Sequence, residues 1–176
     1  YKSEPVSNFN LFGGSSKGTL AGEGAAFFLL TNQSSQNNYV QLNALSTFYK
    51  PGDIKETEQH ILSFLSAQSI LPADIDLVIT GRNGDAKGDA VYNIIEQFVF
   101  NNICTVNYKN LCGEYPTSVS FALWLGVHII KSGTVPEVLA RSGPDTPGGQ
   151  GKEIKKILIY NHSQNVHHSL LLISAC

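Results

Sequence analysis

The sequence lacks several features that would place the protein in a particular class. It has no methionine, no apolar run of the ~20 residues that a membrane-spanning helix needs, and no basic surplus for nucleic acid, since its net charge is −2. Its three cysteines are an odd set without CxxC spacing, which argues against a zinc site or a disulfide framework. We therefore expect free thiols, no metal and a cytoplasmic location.

The start of the chain also lacks something, because a natural protein begins with methionine and this sequence begins with Tyr1. We expect a processed product or a piece of a longer protein. Its 176 residues, 42% of them hydrophobic and 15% charged, suit one globular domain spanning residues 1–176.

Hydrophobic periodicity predicts strands and helices in the order β-β-α-β-α-β-α-β-β. The first strand is expected at Ala25–Leu30 and is predicted to pair, through the polar loop 31–38, with the strand that follows. Alternation of strands and helices indicates a parallel core, and the terminal hairpins add antiparallel partners. We predict an α/β fold with a mixed five-stranded sheet and helices on both faces.

In such a fold, functional residues gather where strands end at their carboxyl side. Three loops qualify, and they follow Thr80, Tyr108 and Tyr160. The second loop opens the stretch "KNLCGEYP", which places Lys109 five residues before Glu114. We expect these two residues to lie close together, either as a structural ion pair or as a base tuned by a cation.

Four motifs resemble one family. They are "GTLAGEGAAFFLL", "DIDLVITGRNGDAKGDAVYNIIEQFV", "VNYKNLCGEYPTSVSFALWLGVHIIKSGTVP" and the final hairpin around "NHSQNVHH". From about residue 17 to its end, the chain is similar to the C-terminal half of thiolase-like condensing enzymes, the beta-ketoacyl-acyl carrier protein synthases. The resemblance implies a thiolase-like fold whose N-terminal half, with the nucleophilic cysteine, is absent from this chain.

In that family two histidines and a lysine support decarboxylative condensation, and the resemblance places all three positions. Lys109 matches the lysine. Counting back from the motif's Gly-Asp pair, Gly81 takes the first histidine position, and Glu114 takes the second. A glycine has no side-chain donor, and an ionised glutamate only accepts hydrogen bonds. Because the enolate intermediate needs donors, we expect the condensing chemistry to be lost or altered.

This pattern resembles the non-catalytic partners called chain-length factors. The resemblance implies a ketosynthase-like protein that acts with an active condensing subunit and an acyl carrier protein, in fatty acid, polyketide or polyene synthesis. The partner is a ketosynthase subunit or a second copy. The alternative is an active 3-oxoacyl-ACP synthase or acyltransferase that uses Lys109 and Glu114. A third interpretation is a free-standing half that dimerises through helix 117–132. Whether the protein is an enzyme stays open.

The same resemblance implies an acyl or pantetheine pocket and no cofactor. The pocket residues are Gly81, Asn83, Asn161 and His162. The histidines of the last hairpin do not suit a metal site, because adjacent residues of a strand point to opposite faces. We interpret His162, His167 and His168 as polar turn residues, and Cys112 as a small core residue.

Overall fold

The computed structural model describes residues 1–3, 10–12, 17–142 and 153–176. The described strands are β1 Val40–Tyr49, β2 Leu77–Thr80, β3 Thr105–Asn107, β4 Ala140–Ser142, β5 Lys156–Ser163 and β6 His167–Ala175. The helices are α1 Ile54–Ala67, α2 Ala86–Phe98, the single turn α3 Lys109–Cys112 and α4 Ser118–Ser132. A 3₁₀ turn covers Pro72–Asp74.

The strands form one mixed sheet, in the order β1-β6-β5-β2-β3-β4. Strand β2 runs parallel to β3 and to β5, whereas β1, β4 and β6 pair antiparallel with their neighbours. The α/β fold with a mixed sheet is therefore confirmed. The short edge strand β4 brings the described strands to six.

Helices cover both faces of this sheet, and each face has its own core. Helix α4 packs its Ala122, Leu125 and Ile129 on one face, whereas α1 and α2 cover the other. All four residues of β2 are buried, as a strand that is covered on both sides requires. The carboxyl ends of β2, β3 and β5 lie side by side and hold the loops discussed below.

The strand predicted at Ala25–Leu30 is not formed. Residues 22–39 have no regular secondary structure, and the side chains of Phe27 and Leu29 are 93% and 100% exposed. The pairing with β1 predicted from sequence is therefore wrong within this chain. Six consecutive apolar residues favour burial, but they do not specify which strand or helix covers them.

Candidate functional site

A buried ion pair joins the two residues that the sequence singles out. Lys109 follows β3 at the start of α3, and its side chain is 0% exposed. Its Nζ lies 2.7 Å from Oε2 of Glu114, whose side chain is 25% exposed. Burial lowers the pKa of Lys109, and the nearby carboxylate opposes that shift. The expectation that these residues lie close together is met by a direct contact.

Gly113 makes this contact possible. Its φ is +71°, in the left-handed region where an L side chain is strained. A Cβ here would also lie 2.6 Å from Cα of Gly22. The turn carries the chain back from α3, so that Glu114 lies over the lysine that precedes it by five residues.

The loop after β2 supplies a third member of the site. Asn83 donates from Nδ2 to the same Glu114 oxygen, at 2.6 Å. Asp89 fixes this loop by accepting from the backbone N–H groups of Asn83, at 3.0 Å, and Gly84, at 2.8 Å. Burial raises the pKa of Asp89, although both hydrogen bonds oppose the shift. The sequence analysis did not assign a role to Asp89. The one feature that could have indicated it is the position of Asp89 in the Gly-Asp pair of the loop motif.

The position of the expected first histidine is filled by other side chains. A Cβ on Gly81 would overlap Oδ1 of Asn161 and lie 2.7 Å from the hydroxyl of Tyr92. Both neighbours are themselves held, because Tyr92 accepts from the backbone N–H of His162 and Asn161 accepts from the hydroxyl of Tyr108. A side chain at this position would therefore require Asn161 and Tyr92 to move.

An N-terminal segment, residues 17–22, covers the loops from outside. The backbone N–H of Glu114 donates to the carbonyl of Leu20, at 2.8 Å. The backbone carbonyl of Glu114 accepts from the N–H of Gly22, at 3.1 Å. Thr19 donates its hydroxyl to the carbonyl of Asn83, at 2.6 Å. The sequence predicted a strand entry at this point. What forms is a single bridge between Ala21 and Glu114 that fixes the backbone of the site.

The histidines of the last hairpin are not all turn residues. His162 and His168 are buried in β5 and β6, on the face covered by α1 and α2, so the turn interpretation is wrong for both. His162 stacks on Tyr92 at 4.5 Å, and His168 stacks on Phe48 at 4.5 Å. The neighbouring His167 is exposed. Within the described residues, no group of three or more His, Cys, Asp or Glu is placed to hold a metal ion.

Burial of His162 predicts an acid-sensitive fold. Burial, followed by the charges of His168 and Lys109, lowers the pKa of His162 to about 3, whereas the unfolded value is about 6.5. Between these values the unfolded chain binds more protons, so the contribution of His162 is fully present above pH 6.5 and is lost as the pH falls toward 3. Over this range, we expect protonation of His162 to lower the free energy of unfolding by up to ~1.4 kcal/mol for each unit by which the pH falls.

Urea unfolding at a series of pH values measures this effect. The variant His162→Phe should show a flatter dependence between pH 6.5 and pH 3 than the wild type. The variant His167→Phe, at the exposed neighbour, is the matched control and should leave the slope unchanged. An unchanged slope in His162→Phe would contradict the assignment.

Cys112 is half-buried and poorly suited to be a nucleophile. Burial is the main cause that raises its pKa to about 11; Glu114 adds to the shift and Lys109 opposes it. The thiol is therefore protonated at neutral pH, and only the thiolate is strongly nucleophilic. The structure thus agrees with the interpretation of Cys112 as a packing residue.

A cleft of about 480 Å³ lies beside these loops, where β1, β5 and β6 extend past the start of α4. Hydroxyl, amide and imidazole groups line much of it, including those of Thr47, Asn161, Ser163 and Ser169. Of the four residues predicted for an acyl or pantetheine pocket, Asn161 lines this cleft. Gly81 and His162 are buried and do not line it, and the side chain of Asn83 donates to Glu114.

Comparison with known proteins identifies the fold. No family model and no curated protein matches the chain. A type II polyketide synthase acyl-carrier protein in complex with its ketosynthase matches with a TM-score of 0.60 at 17% identity, covering 78% of this chain and 39% of that one. The oxazolomycin ketosynthase domain OzmH KS7 of Streptomyces albus matches with a TM-score of 0.61 at 12% identity, covering 78% and 31%.

A third solved structure is ketosynthase twelve of the bacillaene polyketide synthase from Bacillus amyloliquefaciens. It matches with a TM-score of 0.58 at 12% identity, covering 78% of this chain and 30% of that chain. The chain therefore spans 30–39% of the length of these three neighbours. At such identities the likeness shows the fold alone, which is the thiolase-like fold of ketosynthases. Among the described residues, no helix is long and apolar enough to cross a membrane.

Proposed function

We propose that the protein is a ketosynthase-like partner that does not catalyse condensation itself. It acts beside an active condensing subunit and an acyl carrier protein in fatty acid, polyketide or polyene synthesis, in the cytoplasm. The observation that carries the proposal is the ion pair of Glu114 with Lys109, at the position where the resemblance expects a histidine donor.

The chemistry of condensation explains why this substitution matters. Decarboxylation of a malonyl thioester places negative charge on the thioester oxygen, and preorganised N–H donors in a dry site stabilise that charge. Here Glu114 brings a negative charge to the site. The Nζ of Lys109 and the Nδ2 of Asn83 both donate to the carboxylate of Glu114. An enolate at this point would therefore meet repulsion from Glu114 rather than stabilisation.

Packing at Gly81 supports the same conclusion independently. The side chains of Asn161 and Tyr92 lie where the Cβ of a histidine would be. Two positions that are histidines in the condensing enzymes are thus both altered in this chain. Glu114 brings a negative charge to one of them, and neighbouring side chains fill the space beside Gly81 at the other. A pocket for an acyl chain or pantetheine, with Asn161 at its wall, fits a protein that shapes the product of its partner.

The partial exposure of Glu114 favours a second candidate function. A carboxylate that is 25% exposed beside a buried lysine can act as a general base if a substrate reaches it. In that case the protein is an active 3-oxoacyl-ACP synthase or acyltransferase, and its nucleophile lies outside this chain.

Reconstitution separates these functions. The protein, an active type II ketosynthase and a malonyl-loaded acyl carrier protein are assayed alone and together, with product chain lengths read by mass spectrometry. We expect no condensation by the protein alone and a shifted chain-length distribution in the mixture. Condensation by the protein alone, lowered about 100-fold or more in Glu114→Gln, would instead establish the enzyme.

A further inference from the structure

The final hairpin carries two buried histidines that face each other. His162 of β5 and His168 of β6 are partners in the register of the two strands, and their ring centroids lie 5.4 Å apart. The two residues are 5% and 2% exposed. The strands and helices of this chain alone bury both rings, so the pair belongs to the core of the described fold.

The turn between these strands uses a ring nitrogen of His162 as an acceptor. Asn165 donates its backbone N–H to Nδ1 of His162, at 3.3 Å, and Val166 donates its N–H to the carbonyl of Ser163, at 2.9 Å. Gln164 and Asn165 have φ values of +54° and +55°, in the left-handed region that costs energy for an L side chain. The turn therefore depends on these two hydrogen bonds to hold a conformation that its residues do not favour.

The hydrogen bond to Nδ1 makes the turn sensitive to the charge of His162. A neutral imidazole accepts at one nitrogen and donates at the other, whereas a charged imidazole donates at both. Nδ1 can therefore accept from Asn165 only while the ring is neutral. Protonation would place two N–H groups against each other and break this contact.

His168 makes the same sensitivity steeper. Its Nδ1 lies 3.0 Å from the hydroxyl of Tyr160, and its ring stacks on Phe48 at 4.5 Å. At the observed separation a charge on one histidine of the pair repels a charge on the other. Both rings lie within two residues of the turn, so its opening brings both to water, where each can be protonated. Opening should therefore take up two protons rather than one.

The surroundings of the pair favour its neutral form. Among the described residues, neither ring forms an ion pair with a carboxylate. The titratable and charged groups of the elements packed around the pair are His60 and Glu56 of α1, Asp89 and Tyr92 of α2, Arg82 after β2, Lys109 of α3, Tyr160 of β5 and His167 of β6. Burial is the main cause that lowers the pKa of both histidines, and neighbouring cationic groups act in the same direction. Below the ordinary value of about 6.5, the open form therefore binds more protons than the closed form.

We propose that His162 and His168 form a pH-sensitive switch for the turn 163–166, which is closed while both rings are neutral and opens as both take up protons. Ser163 and His167 flank this turn and line the cleft beside the site loops. Opening of the turn therefore changes one end of that cleft. The proposal concerns the hairpin alone and does not depend on the proposed function.

Amide hydrogen exchange followed by NMR between pH 6.5 and pH 5.0 tests the switch. Each rate is divided by the intrinsic rate of an unfolded peptide at the same pH, and carboxylates stay largely ionised over this range. We expect the protection of the Val166 N–H to fall by up to about 100-fold for each unit by which the pH falls, because two protons are taken up. At every pH it should be at least about tenfold less protected than Ile159 in the buried strand β5, because the opening is local.

Three single variants and one double variant assign the protons. His162→Asn keeps an oxygen acceptor that cannot be protonated, and His168→Phe keeps an aromatic ring against Phe48. Each should reduce the fall in Val166 protection to about tenfold per pH unit, and the double variant should show almost none. His167→Asn, at the exposed neighbour, is the matched control and should behave as the wild type. Because slopes are compared, a variant of lower overall stability remains informative.

Four results would overturn the proposal. They are a Val166 protection that does not change with pH in the wild type, a protection equal to that of Ile159 at every pH, a slope that His162→Asn leaves unchanged, and a slope that His167→Asn reduces as much as His162→Asn does. The second result would show that the turn opens only when the whole domain unfolds.

Discussion

Replacing Glu114 by alanine should lower the free energy of unfolding by about 3 kcal/mol. The change leaves Lys109, which is 0% exposed, without its carboxylate partner at 2.7 Å. Removing one member of a buried ion pair is costly because the other charge stays buried, whereas replacing both members is often tolerated. Urea unfolding monitored by circular dichroism measures the loss.

The double variant Lys109→Met/Glu114→Gln is the matched control. It removes both charges and keeps similar volumes, so its stability should lie within about 1 kcal/mol of the wild type. In a double-mutant cycle the two positions should then show strong coupling. Additive effects of the two single substitutions would show that the contact contributes little to the fold.

Replacing Gly81 by histidine should destabilise the protein by about 3 kcal/mol or more, without creating activity. The new Cβ would overlap Asn161 Oδ1 and lie 2.7 Å from the Tyr92 hydroxyl, and the ring would need further space. Overpacking of a well-filled interior costs about 1–3 kcal/mol for a few added atoms. Thermal unfolding gives the stability, and a condensation assay gives the activity.

A smaller substitution makes the steric cause testable. Gly81→Ala should cost about 2 kcal/mol, and the second change Asn161→Ala should recover part of that loss, because it removes the nearest contact. A Gly81→Ala variant as stable as the wild type would mean that the loop after β2 moves easily. In that case the steric argument against a histidine at this position would fail.

The sequence predicted five of the six described strands, β4 being the exception, and the pairing of Lys109 with Glu114, for clear physical reasons. Apolar periodicity places the buried strands, and residues at neighbouring strand ends meet at one edge of a sheet. The turn at Gly113 then determines that Lys109 and Glu114 touch. These are local features, and local features are readable from sequence.

Features that depend on contacts distant in sequence were not predicted. Asn83 reaches Glu114 because Asp89 shapes its loop, and no spacing rule reveals that hydrogen bond. His162 and His168 read as polar turn residues, yet the register of β5 with β6 places them opposite each other in the buried face. The apolar run Ala25–Leu30 predicts burial, but the sequence alone does not identify what covers it.

Decarboxylation of a malonyl thioester tests the central claim most directly, because it requires the stabilised enolate and not the acyl-accepting cysteine. Malonyl-loaded acyl carrier protein is incubated with the protein, and the acetyl product is measured by mass spectrometry against an active ketosynthase and a protein-free blank. The account predicts a rate equal to the blank, for the wild type and for Glu114→Gln alike. A rate above the blank that depends on Lys109 would contradict it, and would show that the ion pair opens to accept an enolate.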